Sequence, residues 1–109
     1  MRGDRSLSGM DNAIPNNKQL TVECAPAGDG WECNIRVGSD AGATQHRVTV
    51  SHDELARFAP GQTKPDRLVE ASFGFLLERE PREAIMRSFE LSAIERYFPN
   101  YPPEISRRL

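Results

Sequence analysis

Apolar and polar residues alternate in three successive stretches of the first half of the chain, and apolar residues recur at three- and four-residue spacing in the second half. LTVEC (20–24), WECNIRV (31–37) and QHRVTV (45–50) place apolar side chains at every second position, the pattern of strands with one buried face. Pro26-Ala27-Gly28-Asp29-Gly30, between the first two, has the composition of a hairpin loop. Leu20, Val22 and Cys24 must share a face with Trp31, Cys33, Ile35 and Val37, because opposed residues lie on the same side of a sheet. The tightest register that satisfies this opposes Cys24 to Cys33, Val22 to Ile35 and Leu20 to Val37. The other face then carries Thr21, Glu23, Glu32, Asn34, Arg36, Arg47 and Thr49 and belongs to solvent.

The third strand runs straight into a helix signal. Ser51 and Glu54 form a capping box, flanked by Val50 and Leu55 as a hydrophobic staple. This predicts a helix over 51–58 that ends at Ala59-Pro60-Gly61. In DRLVEASFGFLLERE (66–80), Leu68, Val69, Ala71, Phe73, Phe75, Leu76 and Leu77 cover most of a helical circumference, so residues 65–79 are expected to form the central buried helix. Gly74 interrupts it and is expected to mark the close approach of another backbone. After Pro81 the spacing of Ile85, Met86 and Phe89 predicts a further helix, and a second capping box, Ser92 to Glu95, predicts a last one over 92–98. Pro99, Pro102 and Pro103 make residues 100–109 an expected extended tail.

These elements define an α+β fold: a three-stranded antiparallel meander packed by one face on a layer of about four helices. Residues 1–18 have little apolar periodicity and are expected to be a disordered arm, with the domain proper in 19–99. At 109 residues, 38% hydrophobic and 28% charged, the chain can build one modest core. No stretch has the ~20 apolar residues of a membrane span and the start has no apolar signal segment, so the expected compartment is the cytoplasm and no membrane contact is expected.

Candidate chemistry is sparse. Cys24 and Cys33 face each other across strands, which allows buried reduced thiols, a redox-formed bridge, or a metal site joined by His46; in a reducing compartment the reduced pair is the first expectation. His52 and Asp53 read as polar first-turn residues rather than an acid and base pair. Glu78, Glu80 and Glu83 are interleaved with Arg79 and Arg82 and read as a solvated ion-pair face. No phosphate loop, GxSxG elbow, HExxH or paired CxxC occurs. No catalytic residue, cofactor or metal is therefore expected, and enzyme function is disfavoured.

Two short helices over 82–98 would form a unit like a DNA-binding helix-turn-helix. Against it, a net charge of −2 gives no drive toward a polyanion, and only Arg96 beside Glu95 could read bases. That unit is the alternative to the main expectation, a small non-enzymatic binding or regulatory module contacting another protein or a second copy of itself. Its candidate surface is Tyr97, Phe98, Tyr101 and Ile105 with Arg96, aromatic area that a domain of this size need not bury. The competing reading has the tail fold back over the central helix and complete the core. The run FLLEREPREAIMRSFELSAIERYFP (75–99) resembles a segment of a family of small uncharacterised bacterial proteins. The likeness covers about the C-terminal quarter of the chain, implies a bacterial origin, and brings no activity or ligand with it.

Overall fold

The computed structural model describes residues 19–39 and 41–109; the expected N-terminal arm lies outside the described residues. The chain forms β1 (Leu20–Ala27), β2 (Gly30–Val37), β3 (Thr44–Ser51), α1 (His52–Phe58) and α2 (Asp66–Leu77). A single 3-10 turn (Arg82–Ala84), β4 (Ser88–Glu90), α3 (Ala93–Tyr97) and α4 (Tyr101–Arg108) follow. The class is α+β as expected, but the sheet has four strands in the order β1-β2-β3-β4, with β4 parallel to β3.

The hairpin register is the one that shared faces require: Cys24 opposes Cys33, Val22 opposes Ile35 and Leu20 opposes Val37. The strands reach further toward the turn than the loop composition implies, to Ala27 and Gly30, and Gly28 adopts φ +56 in the tight turn. Gly30 lies where β2 crosses the end of β3, and a Cβ there would collide with the Val50 carbonyl. Cys33, Ile35, Val37, Val48 and Val50 are buried on the inner face, while Thr21, Glu23, Asn34, Arg36, Arg47 and Thr49 are exposed on the outer one.

Cys24 and Cys33 are joined as a disulfide, with Cα atoms 4.0 Å apart. This corrects the expectation of reduced thiols. A reducing compartment bears only on thiol chemistry, whereas directly opposed positions without their own backbone hydrogen bonds bring Cα atoms closest together in an antiparallel pair.

The capping box at α1 is complete: Glu54 N–H donates to Ser51 Oγ at 3.0 Å and Ser51 N–H donates to Glu54 Oε1 at 2.8 Å. The second oxygen, Oε2, accepts from Ser92 N–H at 2.9 Å, so one carboxylate holds the starts of α1 and α3 together. The second capping box does not form. Ser92 has helical backbone angles and makes no side-chain cap bond, and Glu95 instead accepts from Arg57 at 2.7 Å.

Helix α2 occupies the centre because its rings point to opposite sides. Phe73 packs against His46 and Phe89 of the sheet layer, with ring centroids 5.3 and 6.1 Å away. Phe75 packs edge-on against Phe98 and Tyr101, at 5.8 and 5.4 Å. Both phenylalanines are fully buried. Gly74 corrects its expectation: no backbone approaches it, and the nearest atom to a Cβ built there is a guanidinium nitrogen of Arg108 at 3.8 Å, an ordinary contact.

The region after α2 departs most from the sequence reading. Residues 81–89 form no helix; Pro81 is extended, a 3-10 turn follows, and Ser88–Glu90 pairs with Arg47–Thr49. Residues 82–98 thus contain a turn, a strand and a five-residue helix rather than the two helices of a helix-turn-helix. Residues 101–108 are helical rather than extended. Pro102 and Pro103 fall in the first turn of α4, where N–H groups have no intrahelical acceptor and proline is tolerated.

Candidate functional site

Past the end of α2, Arg79 N–H and Glu80 N–H both donate to the Leu76 carbonyl, at 2.9 and 2.8 Å, and the chain turns back toward the sheet. Ile85 sinks into the core. The next residue is fixed from below: His46 Nδ1 lies 2.7 Å from the Met86 carbonyl oxygen. With its backbone pinned to β3, Met86 carries its side chain outward, 41% exposed. Across the gap, α3 turns Ile94 inward and Tyr97 outward, 66% exposed.

Between them lies a groove of about 190 Å³. Buried Leu76 and Ile94 and half-buried Phe89 and Phe98 form its floor, and Met86, Tyr97 and Glu80 stand around it. The lining residues are apolar except for Glu80 and the hydroxyl-bearing Tyr97. Among the described residues, Met86 and Tyr97 are the large hydrophobic side chains left exposed, and they flank the same depression.

Of the candidate residues read from sequence, Tyr97 and Phe98 line this groove. Arg96 is exposed on α3 but is not part of the lining. Tyr101 and Ile105 are fully buried, which removes them from any surface and bears out the competing reading of a tail folded over the central helix. The spacing of Met86 and Phe89 predicts an apolar helical stripe, which hides their place at the groove. The polar-apolar-polar run Ser88-Phe89-Glu90 is the one trace of a strand there, and it is too short to outweigh helical spacing.

The buried polar groups serve the fold. His46 accepts or donates at both ring nitrogens, Nε2 lying 2.8 Å from Thr44 Oγ1. Burial lowers its pKa from the usual 6.5, opposed by the hydrogen bond to the Met86 carbonyl and reinforced by the positive charge of Arg87. The neutral ring with a proton on Nδ1 satisfies both contacts: Nδ1–H donates to Met86 and Nε2 accepts from the threonine hydroxyl. Ser72 Oγ donates to the Leu68 carbonyl at 2.7 Å and accepts from the Tyr101 hydroxyl at 2.7 Å. Burial raises the Tyr101 pKa, against the effect of the Ser72 hydrogen bond, so this phenol stays protonated.

The cysteine sulfurs are bonded to each other, and no group of three or more His, Cys, Asp and Glu side chains among the described residues could hold a metal. His52 is exposed and tilts against Trp31 with ring centroids 4.5 Å apart, so its ring is engaged in packing. On the outer face, a broad shallow depression of about 500 Å³ is lined by Glu23, Arg36, Arg47 and Arg87 among others. Arg47 is paired there with Glu32 at 3.0 Å, an exposed ion pair of little energetic weight. Among the described residues no helix is long and apolar enough to cross a membrane. No protein-family model, curated protein or solved structure matches the chain.

Proposed function

We propose that this protein is a small non-enzymatic binding module that acts by docking a segment of another protein into the groove between α3 and the approach to β4. The observation that carries this reading is the pairing of Met86 and Tyr97, two large exposed side chains that line one apolar depression. A core-forming role does not account for side chains left in water, and tyrosine and methionine are enriched where proteins meet. The groove's size suits a single large apolar side chain as an anchor, the usual centre of a compact interface.

The test compares wild-type protein with Met86→Glu and Tyr97→Glu. Both variants should keep the wild-type melting temperature, since each replaces an exposed side chain. Each should also abolish stoichiometric association with a binding protein, while Arg96→Ala, next to the groove but outside it, should not. Association that survives both glutamate substitutions removes this groove from the function.

A further inference from the structure

The groove adjoins an unfinished sheet edge. Arg47 N–H donates to the Arg87 carbonyl at 2.7 Å, and Leu91 N–H donates to the Thr49 carbonyl at 3.0 Å. In a parallel ladder successive residues point their backbone groups to opposite sides, so 87, 89 and 91 bond to β3. Ser88 and Glu90 therefore aim their N–H and C=O groups away from the sheet, and both residues are exposed. Between them Phe89 turns its side chain to the inner face and into the groove. A row of unbonded donors and acceptors thus runs directly alongside an apolar depression on the sheet's inner side.

We infer that the occupant is an extended segment of a partner protein that adds as a fifth strand along β4. This rests on the docking role proposed above and specifies how the ligand is held. In an added strand, side chains alternate between faces, so the residue of the segment opposite Phe89 enters the groove and its two neighbours lie over Ser88 and Glu90. Backbone hydrogen bonds to Ser88 and Glu90 supply affinity, and the groove selects the side chain. The lining makes that side chain large and apolar. Glu80 stands at the groove with no ion-pair partner among the described residues, so a lysine or arginine in the segment beside it completes the charge match. A second copy of this chain fits less well: two-fold pairing of β4 with itself sets one concavity against another and leaves both without an anchor.

A phage-displayed library of random linear peptides, selected on the full chain and counter-selected on Tyr97→Glu, supplies the probe. Selected peptides should alternate large apolar residues with polar ones and carry a basic residue. Amide exchange at Ser88 and Glu90 should slow when they bind. Methylating the backbone nitrogens that face β4, with side chains unchanged, should weaken binding by roughly tenfold or more. Groove binding that is indifferent to N-methylation, with no change in exchange at Ser88 and Glu90, overturns strand addition and leaves the docking reading standing. Failure to enrich any peptide over the Tyr97→Glu protein overturns both. If light scattering shows a dimer that Tyr97→Glu dissociates, the occupant is a second copy and the inference is likewise overturned.

Discussion

Tyr97 and Tyr101 are four residues apart, in adjoining helices, and have opposite roles. Tyr97 ends α3 and stands mostly in water at the groove. Tyr101 begins α4 and is fully buried, with Phe58 and Phe75 edge-on at 5.1 and 5.4 Å and its hydroxyl on Ser72. The break at Phe98 to Asn100 separates them, turning the chain so that one ring is left over and the next is built in. Aromatic content near the end of the chain therefore splits between exposed surface and a core that closes over α2.

The sharpest way to break this comparison is to truncate the buried ring. Tyr101→Ala should cost about 3–5 kcal/mol in urea unfolding, through the lost ring and the cavity left against Phe58 and Phe75. A cost below about 1 kcal/mol would mean that α4 is not part of the folded core.

Next in size is the tie at the far side of the sheet. Replacing both members of the Cys24–Cys33 disulfide by alanine should lower stability by about 2–3 kcal/mol from the short loop that it closes. Thiol counting on the unreduced protein should find neither cysteine free, and a count of two would return the pair to the reduced state.

His46 gives the groove side a pH dependence on the acid side of neutrality. Its folded pKa is lowered, chiefly by burial, so below about 6.5 the unfolded chain takes up a proton that the folded protein refuses. Stability should be flat in this group above that pH. It should fall as pH drops toward the folded value, by at most about 1.4 kcal/mol per pH unit for one proton. His46→Gln should remove this component in parallel urea titrations, and an unchanged profile would show that His46 does not titrate differently on folding.

Gly74 should give a smaller effect of opposite sign. With room for a Cβ beside Arg108, Gly74→Ala should stabilise by up to about 1 kcal/mol through helix propensity. Destabilisation would reveal a tighter contact than the one described.

How far the sequence discloses all this depends on how many residues each signal spans. The β1–β2 register was legible because several opposed apolar pairs must share a face, and α1 because Ser51 and Glu54 satisfy each other within one turn. Helix α2 was legible because its apolar band is wide enough to exclude a surface position. β4 has three residues and is specified by its partner, Arg47 to Thr49, rather than by its own pattern; Ile85, Met86 and Phe89 happen to keep helical spacing. Helix α4 was hidden by Pro102 and Pro103, which forbid a helix interior but not a first turn. At the groove, Tyr97 and Phe98 could be named from their aromatic character. Met86 could not, because its exposure follows from a hydrogen bond between His46 and its own carbonyl, forty residues apart in sequence.

The most direct test of the groove as a docking site uses protein labelled with carbon-13 at its methionine methyl groups. The chain has three methionines, Met1, Met10 and Met86, so one resonance reports on the groove. Titration with a selected peptide should move the Met86 signal to saturation, and Tyr97→Glu should abolish the shift without lowering the melting temperature. Saturable peptide binding that leaves the Met86 signal in place would contradict the account.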